Sequence, residues 1–324
     1  MKKILAFLIF TTSLLSVNAQ KSFTADGISY LTTSDNTVKV TRGDTKIPSG
    51  GTYTGDITIP SKVTYSGVTY SVTSIGTYAF FECWGMTSVK IPSSVISLEN
   101  YAFSNCTKLT SMSIPSSVTD LGSNAFKDCI GLTNLSIPSS VTTIKSGLFS
   151  GCRKLTSVTL PSSFTSIEKY AFFGCSALTS ISIPSGVSTI GDDAFSDCSA
   201  LTSINLPESL TSINESLFES CSALKSITIP SKVLSIGMMA FTSCEALTSI
   251  EFPASVSDIN HYAFTLSSLE SIKVNAKEPP VLNEEPFYGI DLAIPVYVPA
   301  SAVETYKNNT DWKIFTNIIG MTDK

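Results

Sequence analysis

Eight cysteines stand at positions 83, 106, 129, 152, 175, 198, 221 and 244, each 23 residues beyond the last. Catalytic and metal-binding constellations are not spaced evenly along a chain. A fixed period of this length marks a solenoid in which each repeat is one supersecondary unit. Two more columns keep the same ruler: phenylalanines from Phe80 to Phe264, and prolines from Pro92 to Pro253.

Residues 178–200 show how one coil is built: L-T-S-I-S-I-P-S-G-V-S-T-I-G-D-D-A-F-S-D-C-S-A. Ile181 and Ile183 alternate with Ser180 and Ser182, the period of a short half-buried strand. Pro184 has no N–H to give to a ladder and ends it. Val187 and Ile190 supply the next inward side chains, and Gly191, Asp192 and Asp193 turn the chain toward Ala194, Phe195 and Cys198. A lone coil leaves both faces open, so its stability comes from the neighbours stacked on it. The inward column Val89, Met112, Leu135, Val158, Ile181, Ile204, Ile227, Ile250 holds throughout. One residue is lost near Ser267–Leu269, where the cysteine is missing, which marks the approach of the end.

Residues 1–19 read as a secretory leader, with Lys2 and Lys3, an apolar stretch from Ile4 to Leu15, and Val17-Asn18-Ala19 before Gln20. That stretch is shorter than the roughly 20 residues of a membrane-spanning helix. No cysteine follows it until Cys83, so no lipid anchor is expected, and the protein is placed as secreted or at the cell surface. Residues 20–70 are expected to form a β-rich N-terminal cap with a first partial repeat, residues 71–275 the solenoid, and residues 276–324 a closing cap. In that last segment Ser301 is expected to cap a short helix, and Trp312, Phe315, Ile318 and Ile319 to plug the final coil. A net charge of −5 with scattered charges lacks the basic footprint of a nucleic-acid binder. No second apolar run is long enough to be an integral membrane segment.

The string I-x-I-P-S-x-V-T-x-I-G-x-x-A-F-x-x-C-x-x-L-T-S recurs as Ile183-Pro184-Ser185, Ala194-Phe195, Cys198 and Leu201-Thr202-Ser203. It resembles the BspA-like leucine-rich repeats of bacterial surface and secreted proteins, over about residues 55–275. The resemblance implies a mainly β repeat solenoid, a right-handed stack with a parallel sheet on one face and capped ends. It also implies adhesion to host matrix proteins or other cells, and it carries no catalytic residues. The chain departs from the commoner pattern L-x-x-L-x-L-x-x-N/C-x-L, whose Asn/Cys position is Ser or Gly here (Gly186 in the unit above). An asparagine ladder is therefore not expected.

The cysteine column places one small inward thiol in each coil. An even count in an exported chain invites disulfides. Stacked side chains, however, sit about 4.8 Å apart, whereas a bridge wants Cβ atoms about 3.8 Å apart. A reduced structural ladder is expected, with bridging of adjacent pairs as the alternative. There is no C-x-x-C, and the single histidine, His261, falls at a polar turn position. No metal, cofactor or acid–base chemistry is expected, and no G-x-S-x-G elbow occurs. The chain reads as a non-enzyme.

The outward face of the sheet carries Lys90, Ser113, Ser136, Thr159, Ser182, Asn205, Thr228 and Glu251 in one column. These side chains either keep the sheet soluble and no more, or offer a long polar surface to an extended partner. Sharper candidates are the aromatics that break pattern. Tyr78, Tyr101, Tyr170 and Tyr262 directly precede the Ala-Phe pair, and Phe81, Trp84 and Phe173 sit beside them where other repeats carry Ser, Glu or Lys. Interface energy concentrates on Trp, Tyr and Arg; the competing account is that the N-terminal aromatics cover the first coil. The expected function is extracellular binding to an unidentified protein or glycan. The alternative is an envelope-associated scaffold without a discrete ligand.

Overall fold

The computed structural model describes residues 20–42, 51 and 53–321; the leader expected at residues 1–19 lies outside them. Strands β1 (Ser22–Ala25), β2 (Ile28–Thr32) and β3 (Thr37–Thr41) form an antiparallel meander. After β4 (Gly55–Thr58), strands β5 (Lys62–Tyr65) and β6 (Val68–Ile75) form a hairpin. The hairpin tips are Asp26-Gly27 and Ser66-Gly67, all four with positive φ, the turn whose twist suits paired strands. Tyr30, Val38, Val40, Val72 and Ile75 are fully buried between these strands. Strand β6 lies parallel to β3 on one side and to Ser97–Leu98 on the other, so it hands the antiparallel hairpins over to the coils.

Two parallel ladders then run along the stack. One follows the S-I-S positions, pairing Asn134–Ser136 with Ser157–Thr159 and Ser180–Ser182 with Ser203–Asn205. The other follows the Val-x-x-Ile segment, through Thr143–Ile144, Ser166–Ile167 and Thr189–Ile190, and again from Ser212–Ile213 to Val281–Leu282. The sequence pattern had indicated only the first. Paired residues are one period apart until Ser249 meets Ser271, where the deleted residue shortens the step.

The remaining arc of each coil is a ribbon of turns. N–H groups of Tyr78, Phe80 and Glu82 donate to carbonyls of the next coil at 2.8–3.1 Å, while those of Ala79, Phe81 and Cys83 donate three residues back within their own coil. The alternation requires left-handed backbone twice per coil, at the columns Tyr78 to Tyr262 and Glu82 to Leu266.

Inside, ten phenylalanine rings from Phe80 to Phe287 stack with centroids 5.1–5.9 Å apart and planes within 20° of parallel. Crossed rings end the stack: Tyr53 lies against Phe80 at 58°, and Phe315 meets Phe287 at 76°. The eight cysteines are free and buried. From Cys106 onward each thiol donates to the preceding coil's phenylalanine carbonyl at 3.1–3.2 Å. At the position where other leucine-rich repeats carry asparagine, serine hydroxyls bridge the coils: Ser94 to Val72 O at 2.7 Å, Ser117 to Val95 O at 2.6 Å, Ser255 to Val233 O at 2.6 Å. Many hydroxyls thus serve coil-to-coil bonding as well as solubility.

At the C-terminal end a 3-10 turn, Ala300–Ala302, leads into helix α1 (Val303–Asn308). Ala302 precedes the helix with no side-chain cap, so Ser301 does not act as one. Tyr306 and Trp312 are fully buried and tied to backbone, Tyr306 Oη to Ala276 O at 2.9 Å and Trp312 Nε1 to Pro280 O at 2.7 Å. Phe315 and Ile318 join them, but Ile319 faces outward because Ile318–Met321 is a strand paired with Val296–Pro299 and alternate side chains leave the core. No helix among the described residues is long and apolar enough to cross a membrane.

Candidate binding surface

The tyrosine column falls on the first left-handed position of the turn ribbon: Tyr78, Tyr101, Tyr170 and Tyr262 have φ of 58°, 56°, 59° and 55°. Other coils put Asn124, Gly147 and Asp193 there, residue types that tolerate this backbone, and also Ser216 and Met239. A bulky side chain there gains nothing from the backbone, yet Tyr78 and Tyr170 are both 42% exposed. Tyr78 and Tyr101 stack at 4.9 Å and 11°, and Phe81 meets Tyr78 edge-on at 5.3 Å. The Arg42 guanidinium lies over Phe81 at 5.3 Å and pairs with Glu82 at 3.7 Å. Trp84 is exposed on the same ribbon without a ring contact to this cluster among the described residues. Three coils on, Tyr170 and Phe173 form a second edge-on pair at 6.1 Å.

Between and beyond these clusters a polar groove of about 820 Å³ follows the ribbon from Lys127 to Glu245. Its floor is Gly151, Gly174 and serines of the second left-handed column, and its walls include Asp128, Arg153 and Phe173. Beside Tyr170, burial and then the charges of Glu219, Glu215 and Asp192 push the Asp193 carboxyl up to about 6. The charge of Asp193 in turn raises the Tyr170 hydroxyl. The sequence signals this groove only through the Gly/Ser/Asp column before the cysteines, as in Gly151, Gly174, Asp197, Ser220 and Ser243.

The structure therefore brings Tyr78, Phe81 and Tyr101 together and sets Tyr170 with Phe173 farther along the same ribbon. The sheet-face residues Lys90, Ser113, Ser136, Thr159, Ser182, Asn205, Thr228 and Glu251 are all exposed on the other side of the coil. Lys90 bridges to Ser113, and Glu251 pairs with Lys273. His261 is half-buried rather than freely solvated, with Nδ1 2.6 Å from Glu284 O and 3.4 Å from Glu284 Oε2. Among the described residues no group of His, Cys, Asp or Glu could hold a metal ion.

A model of the BspA type leucine-rich repeat region matches in six copies, over residues 56–179 and 165–292. A leucine-rich cell surface protein from Faecalibacterium prausnitzii is 26% identical, covering 95% of this chain and 96% of that one, with a TM-score of 0.52. A leucine-rich repeat protein from Bacteroides ovatus is 26% identical over 93% of this chain and 100% of that one, with a TM-score of 0.40. The T. pallidum leucine-rich repeat protein is 28% identical over 70% and 91%, with a TM-score of 0.45. Among curated proteins nothing matches. The family model spans most of the repeat columns whose stacking the structure displays, and the chain accordingly belongs to the BspA-type leucine-rich repeat family.

Proposed function

We propose that the protein works outside the cell as a non-enzymatic binder of an extended protein or glycan, laid along the turn ribbon from the Tyr78–Tyr101 stack toward Glu245. The observation that carries this reading is the pair of exposed tyrosines at left-handed positions, Tyr78 and Tyr170, on the same ribbon as a polar groove. Backbone strain that a neighbouring coil avoids with Asn or Gly is retained where the side chain has another task. Aromatic anchors flanked by small polar residues suit a chain-like ligand gripped weakly at many points. The leader read at residues 1–19 and the cell-surface description of the F. prausnitzii protein support an exported location.

The test is binding of the purified chain to immobilised matrix proteins and glycans, repeated with Trp84→Ala/Tyr101→Ala and with Tyr170→Asn/Phe173→Ala. Binding that both double variants leave unchanged rejects the ribbon as the contact surface. No binding across the panel, with complete protection from protease on intact cells, would favour a scaffold without a discrete ligand.

A further inference from the structure

The outward sheet face is not uniform. Along the S-I-S positions every coil from β4 onward shares a ladder pair or bridge with a neighbour, except the one at Ser226–Ile229 among the described residues. There a groove of about 570 Å³ opens, reaching from Ser226 across Ser249 and Glu251 to Lys273, Asn275 and Tyr297. Glu251, Lys273 and Tyr297 are register partners on three successive strands, so the ladder itself fixes them in one row.

The chemistry of that row is specific. Glu251 Oε1 takes both available donors, Lys273 Nζ at 2.8 Å and Asn275 Nδ2 at 2.8 Å. Its Oε2 makes no hydrogen bond among the described residues and remains a free acceptor beside the Asn275 carboxamide and the Lys273 ammonium. Glutamate and lysine cancel in charge, which gives neither an anionic nor a cationic ligand an advantage. Tyr297, 36% exposed, supplies one aromatic wall, and Ser249 and Ser271 line the groove with hydroxyls. A carboxylate acceptor next to amide and ammonium donors matches vicinal hydroxyls, each of which donates and accepts. The volume lies within the range of small-molecule sites. Between Ser249–Phe252 and Ser271–Val274 the ladder already uses the backbone groups, so recognition beside Glu251 and Lys273 falls to side chains.

We propose that this groove is a saccharide subsite, in which one pyranose ring stacks on Tyr297 while its vicinal hydroxyls bridge Glu251 Oε2 and the Asn275 carboxamide. The site shares no residue with the turn-ribbon groove and does not depend on it.

The full chain is titrated with the methyl glycosides of glucose, galactose, mannose and N-acetylglucosamine, with saturation-transfer NMR as the readout. At least one glycoside binds saturably; Glu251→Gln and Tyr297→Ala each weaken it at least about tenfold, and Lys108→Ala, exposed and lining neither groove, leaves it unchanged. Melting temperatures of the two groove variants stay close to the parent, because the Glu251–Lys273 pair is solvent-exposed. Saturation by none of the four sugars overturns the proposal, as does binding that survives both groove substitutions. Should a variant fold poorly, the methyl resonances of Ile227 and Ile250 in the unaltered chain decide: they shift with the bound glycoside, or the assignment is wrong.

Discussion

Tyr170 sets a backbone preference against a side-chain role. In left-handed backbone a β-carbon costs about 1–2 kcal/mol, and asparagine bears that conformation better than tyrosine. Tyr170→Asn should therefore hold or raise the unfolding free energy by about 1 kcal/mol while weakening ligand capture on the ribbon. Denaturant unfolding checks the first half; a clear loss of stability would assign Tyr170 to packing instead. Asp193, in the same column, gives a pH signature. Burial, then Glu219, Glu215 and Asp192, raise its carboxyl from the ordinary 3.8 to about 6. The folded chain thus holds a proton that the unfolded chain has released, and stability falls as pH rises between those two values, then levels. Asp193→Asn keeps the turn and removes this contribution, so melts across that window should show a flatter profile and a firmer fold at neutral pH. The tyrosine column was legible from position alone, and its backbone hand was half-legible in Asn124, Gly147 and Asp193. Arg42 was not, since it arrives over Phe81 from the N-terminal hairpins, outside the 23-residue period.

At the scale of the element, the thiol ladder is a hydrogen-bonded strip as well as a packed one. Phe149 O accepts the Cys152 N–H at 3.0 Å and the Cys175 S–H at 3.2 Å, and the pattern repeats along the stack. Burial pushes the Cys83 thiol up to about 11 and those of Cys198 and Cys244 to about 12. Thiolate is the reactive form, so the native chain should react negligibly with a thiol reagent at neutral pH, whereas the chain denatured without reductant should yield its eight sulfhydryls. Titres near zero after denaturation would instead indicate bridging of adjacent pairs. Inward columns, the strand and the cysteine ladder were readable because each follows from one side chain repeating. The second ladder and the turn ribbon were not, because their bonds run from backbone to backbone and their geometry lies in alternating φ.

For the whole molecule, the ends decide how far order extends. The phenylalanine stack closes on Phe315 and Trp312, and Trp312 with Tyr306 anchors the last coils to Pro280 and Ala276. Trp312→Ala should cost about 3–5 kcal/mol. Because coupling passes between nearest neighbours, the loss should appear first as faster hydrogen exchange at Val296–Pro299, with Thr143–Ile144 protected. Equal deprotection at both places would mean that the stack unfolds as one unit. The register of coils was plain from the period, while the strand pairings of the ends were not, since hairpins obey turn chemistry rather than the repeat. Every backbone bond between coils joins a layer to the one directly above or below it. Copying or excising one complete period therefore leaves matching edges on both sides, and evolution can lengthen or shorten the reach of this surface by whole units without redesigning any of them.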